Sequence, residues 1–109
     1  MTPENRIATR HVFQPRILIR LNRNGKSVSV GAWARDLSES GLSAFVPESL
    51  EAGDLVTLQI PLLPSGKELI PARVARKMGT QYGFEFTALS SEQRNGIRNA
   101  LLEQPVIPF

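Results

Sequence analysis

The sequence predicts a mainly β fold: a six-stranded antiparallel β-barrel followed by one C-terminal α-helix. Three observations carry this reading. Short runs of alternating apolar residues recur at a spacing of about ten residues. Turn-forming pairs fall between the runs, among them Asn24-Gly25, Gly53-Asp54 and Gly79-Thr80. After Phe86 the apolar period changes from two to that of a helix. A sandwich would fit the same spacing. A barrel is preferred because closure removes the edges that one open sheet would leave exposed. The 109 residues suit one domain with one core of modest size.

Residues 1–15 read as a polar N-terminal arm. Pro3 and Pro15 oppose regular structure, Arg6, Arg10 and His11 add charge, and Ile7, Val12 and Phe13 are available to dock on the body. From Arg16 a strand begins, with Ile17, Ile19 and Leu21 on one face and Leu18 and Arg20 on the other. Asn24-Gly25 is the strongest short hairpin signal. The return strand runs from Ser27 to Arg35, with Val28, Val30, Ala32 and Ala34 inward and Gly31 marking a bulge or a sharp bend.

A turn is expected over Asp36–Gly41, then a strand from Leu42 to Val46 that Pro47 ends. Val56, Leu58 and Ile60 form one face of the next strand. Pro64-Ser65-Gly66-Lys67 turns the chain into a strand over Leu69–Arg76, where Pro71 suggests an edge or a strand start. Tyr82, Phe84 and Phe86 share a face of the last strand, a pattern read as barrel core. Ser90 and Gln93 then make a capping box for a helix with Ile97, Ala100 and Leu101 as its apolar stripe. Pro105 stops it. Residues 16–104 thus form barrel plus helix, and 105–109 an apolar tail expected to fold back.

Composition excludes several classes. With no cysteine there is no disulfide or thiolate site, and one histidine in the arm builds no metal site. No nucleophile–base pair can be assembled, so an enzyme is not expected. No signal peptide or membrane-length apolar run is visible, and a soluble cytoplasmic protein is expected. Net charge is only +3, too mild for the dense basic stripe of a nucleic-acid domain. Ten of the 13 basic residues are arginine, which suits bidentate contact with phosphate or a guanine edge.

The stretch that organises the chain is Asp36-Leu37-Ser38-Glu39-Ser40-Gly41. Asp and Ser side chains bond to nearby backbone N–H groups, and glycine permits a positive φ or a close approach. An arginine-bearing arm precedes it, and Gly83-Phe84-Glu85-Phe86 and a Ser-Glu-Gln helix start follow. In this order the chain resembles the PilZ domain from about Arg10 to Leu102. The resemblance implies the six-stranded barrel, binding of cyclic di-GMP, and a receptor or effector that is not an enzyme. Its Asp/Asn-x-Ser-x-x-Gly motif is met by Asp36, Ser38 and Gly41.

The family's second motif, Arg-x-x-x-Arg before the first strand, is met irregularly. Arg16 stands immediately before Ile17, yet four residues back from it is Val12, and four on from Arg10 is Gln14. Arg10 and Arg16 are read as that pair, set too far apart by two extra residues between His11 and Pro15. The implied ligand-binding set is Arg10, Arg16, Asp36, Ser38 and Gly41, with the arm closing over cyclic di-GMP and so changing a surface for a downstream protein. No cofactor or metal is implied. The alternative is a degenerate PilZ-like domain that has lost the nucleotide and serves as a protein-interaction module. Arg20 and Arg35 read as exposed strand residues, Trp33 as barrel-wall packing rather than a base-stacking ring, and His11 as solvated.

Overall fold

The computed structural model describes residues 9–62 and 68–107. The elements are β1 (His11–Val12), β2 (Arg16–Arg23), β3 (Lys26–Leu37), β4 (Gly41–Phe45), β5 (Leu55–Ile60), β6 (Glu68–Met78), β7 (Gln81–Phe86) and α1 (Ser91–Leu102). Six strands pair antiparallel in the order β3-β2-β5-β6-β7-β4, and β4 pairs back on β3. That last pairing closes the barrel. The expected turn at Pro64 to Lys67, and Ile7, lie outside the described residues.

Period-two alternation becomes inside and outside of the barrel. Ile17, Ile19 and Leu21 of β2, Val30, Ala32 and Ala34 of β3, and Tyr82 and Phe84 of β7 are buried in one cluster. Tyr82 and Phe84 are therefore core, as their spacing predicts, and Tyr82 also accepts a hydrogen bond from the Leu50 N–H at 3.0 Å. Helix α1 contributes Ile97 and Leu101 to the same cluster, and Phe13 joins them. The capping box forms as expected: Ser90 Oγ accepts from Gln93 N and Gln93 Oε1 from Ser90 N, both at 3.0 Å.

The turns follow their residues. Asn24 and Gly25 both have positive φ, 54° and 78°, which matches the right-handed twist of a two-residue hairpin. Gly31 carries no bulge. The β2–β3 register runs through it without a shift, and the irregularity in β3 lies between Ala34 and Asp36 instead. Pro71 lies within β6 rather than at its start, on the local edge left where β7 has ended. Its carbonyl accepts from Thr87 N, just past the end of β7, so the missing N–H faces an edge where no ladder partner needs it.

Of the expected arm, the described residues 9–15 are tied to the barrel. β1 pairs with β3 as His11↔Leu37 and Val12↔Asp36, on the edge of β3 that β2 pairs further along. Hydrogen bonds from Phe13 N to Arg35 O and from Ala34 N to Pro15 O bridge the gap. The tail folds back on the other side of β1: Val12 N donates to Pro105 O and Ile107 N to Arg10 O, both at 2.9 Å. His11 is half-buried and its Nδ1 meets Gln104 O at 3.0 Å, so it is not simply solvated. Among the described residues no helix is long and apolar enough to cross a membrane.

Candidate functional site

The connection between β3 and β4 is shorter than the sequence suggests. β3 continues through Asp36 to Leu37, and β4 already starts at Gly41. Only Ser38, Glu39 and Ser40 make the turn. Ser38 builds it from inside: its N–H donates to Gly41 O at 2.9 Å, and its Oγ accepts from Ser40 N and Gly41 N, each at 3.2 Å. A buried hydroxyl that satisfies two backbone donors holds a tight bend that the chain alone would not keep.

Gly41 is needed for space rather than for a left-handed backbone, since its φ is not positive. A Cβ placed on it would meet the carbonyl oxygen of Phe84 at 2.1 Å. The glycine therefore lets β4 approach β7 closely, with Gly41 registered against Glu85.

With the turn so occupied, Asp36 is free to project from the wall beside it. Its Oδ1 accepts from Arg10 Nη1 at 2.6 Å. The pair is partly buried, and it is held from both sides. Asp36 lies in the β3–β4 ladder, and the Arg10 carbonyl is bonded to the tail. Arg10 is thus the residue that stands immediately before the first strand of the folded chain, β1.

Arg16 is elsewhere. Its guanidinium lies over the Trp33 ring, 5.1 Å from the centroid, with Nη2 3.2 Å from where a Gly31 Cβ would stand. The structure therefore brings Arg10 to Asp36, and Ser38 to Gly41, while Arg16 packs along β3 on Trp33. Trp33 itself is 54% exposed and is not barrel packing. Arg20 is exposed as expected and donates to Gln59 Oε1; Arg35 donates to Gln81 Oε1.

Beyond Asp36 the outer wall continues in register through Ser43 and Gly83 to Arg76. Ser43 Oγ is buried with no hydrogen-bond partner among the described residues. Ser43, Arg76, Lys77, Gln81 and Gly83 line one cleft. The missing side chain at Gly83 leaves the floor on which Arg76 lies, with Nε 3.3 Å from a notional Cβ. Sequence reasoning missed Ser43 and Arg76 because nothing local marks them. The signal that existed was Gly83 in an otherwise bulky strand. No group of three or more His, Cys, Asp or Glu residues that could hold a metal occurs among the described residues.

A model of the PilZ domain family matches residues 4–103. The chain belongs to the PilZ family. PilZ domains are receptor domains for cyclic di-GMP rather than enzymes. The fold agrees. The PilZ domain of CeSA from a cellulose-synthesizing bacterium superposes with a TM-score of 0.64 at 20% identity, covering 85% of this chain and 94% of that one. The PilZ domain of YcgR from Escherichia coli, solved with c-di-GMP, gives 0.64 at 16% identity, over 85% of this chain and 86% of that one. Comparison with curated proteins finds no match. In this PilZ domain the expected barrel and C-terminal helix are present, and the turn motif lies on the wall beside Arg10.

Proposed function

We propose that this PilZ domain binds cyclic di-GMP on the outer wall beside the β3–β4 turn, and that Arg10 and Asp36 contact the ligand. The 2.6 Å pair between them carries the reading, because it puts a cation and a carboxylate together at one partly exposed point next to the motif turn. The ligand has two phosphates and two guanines. A guanidinium chelates phosphate or the O6/N7 edge of guanine, and a carboxylate accepts from guanine N1–H and N2–H₂. Ser38 and Gly41 act by shaping the turn. Arg76, three strands away and exposed in the adjoining cleft, offers a further cation to the same ligand.

The placement of Arg10 also changes the arginine count. If the family's second arginine is the one before β1, it is Arg10, and four residues back is Arg6. Arg6-Ile7-Ala8-Thr9-Arg10 then satisfies Arg-x-x-x-Arg without insertion, and Arg16 leaves the set. This spacing removes the main reason for the degenerate-module reading. Titration calorimetry with cyclic di-GMP tests the proposal: binding by the wild type that Arg10→Ala or Asp36→Asn weakens at least tenfold supports it. No heat at high micromolar ligand would remove the receptor reading.

A further inference from the structure

The outer wall carries a second feature that the nucleotide site does not use. Arg16, Trp33, Phe45, Gln81 and Met78 stand in direct register across β2, β3, β4, β7 and β6. Trp33 is 54% exposed, Phe45 43% and Met78 79%. Arg16 lies over Trp33, and Arg35 lies 5.1 Å from the Phe45 ring centroid while bonded to Gln81. The row is therefore one continuous strip of two aromatics and a methionine with two arginines laid on it.

We infer that this strip is a docking face for an acidic, aromatic- or aliphatic-bearing segment of a partner protein. Interface centres are enriched in Trp, Phe, Met and Arg and depleted in Lys and carboxylates, and this row has that composition. Both rings already carry a cation–π contact, which restrains them and lowers the ordering entropy that opposes docking. Charge selects the partner. Arg16 and Arg35 lie within the strip, Lys77 lies at its β6 end, and no carboxylate stands in the row. Asp36, next along β3, is paired with Arg10. A second copy of the chain would bring like charges together, which disfavours self-association.

Trp33 is the chain's single tryptophan, so its emission reports on this face directly. The experiment selects peptides from a random display library on the full chain, then titrates the most enriched synthetic peptide while reading Trp33 fluorescence. The expected peptides combine Asp or Glu with an aromatic or aliphatic anchor. Arg16→Glu with Arg35→Glu weakens binding about thirtyfold or more. Phe45→Ser, with Trp33 kept as the reporter, does the same. Circular dichroism of these surface variants confirms that they fold.

Four outcomes with the peptides and the chain itself overturn the inference. These are no enrichment, enrichment of basic or neutral peptides, binding unchanged by the substitutions, and concentration-dependent self-association that Phe45→Ser abolishes. Anionic vesicles or a single-stranded oligonucleotide, titrated in the same assay, overturn it if either binds and the peptides do not.

Discussion

Arg10 Nη1 and Asp36 Oδ1 are 2.6 Å apart, although 26 positions separate them in the chain. The pair joins the segment before β1 to the wall of the barrel. Its side chains are 33% and 14% exposed, so solvent screens the arginine end and its share in stability is on the order of 1 kcal/mol. Its proposed value lies in recognition. Arg10→Ala is expected to shift the melting temperature by only a few degrees, yet to weaken cyclic di-GMP about ten- to a hundredfold. Calorimetry and thermal melts on the same samples check this. A large loss of stability with unchanged affinity would contradict it.

The two ways of counting arginines make opposite predictions. If Arg6 and Arg10 form the motif, Arg6→Ala weakens the ligand about tenfold or more and Arg16→Ala changes affinity less than about threefold. Equilibrium binding to a fluorescent cyclic di-GMP analogue distinguishes them. The reverse pattern would restore Arg16 to the site.

Glycine at position 41 is a packing requirement. Gly41→Ala would press a methyl into the Phe84 carbonyl and is expected to cost about 2–3 kcal/mol or more. At Gly83 the nearest atoms belong to the Arg76 side chain, which can move aside. Gly83→Ala is therefore expected to cost under about 1 kcal/mol. Urea midpoints of the two variants, compared with wild type, measure the difference.

The tail holds β1 from outside. Removing residues 105–109 deletes the Pro105 acceptor of Val12 N and the Ile107 donor to Arg10 O. Hydrogen exchange at Val12 is expected to accelerate clearly in this truncation, while Ile19 in the closed barrel keeps its protection. Equal acceleration at both would mean that the tail supports the whole fold rather than β1.

Much of this was legible in the residues. Strand faces, the Asn24-Gly25 hairpin, the Ser90 cap and the core role of Tyr82 and Phe84 follow from periodicity and local hydrogen-bonding chemistry, which act within a few residues. The motif turn was legible too, though its edges were not, because pairing with β4 draws β3 two residues further, to Leu37.

Local chemistry says which way a side chain faces but not which distant strand lies beside it. Arg16 and Arg10 look alike in sequence, both cations ahead of an apolar run. Register across β2 and β3 lays one on Trp33, while β1 and the tail carry the other to Asp36. The row from Asp36 to Arg76 exists only because irregularities in β3 and β6 set the alignment of four strands. Long-range pairing is a collective choice among alternatives that period-two patterns leave open, so the chain's residues specify a barrel while the closed sheet decides what meets on its wall.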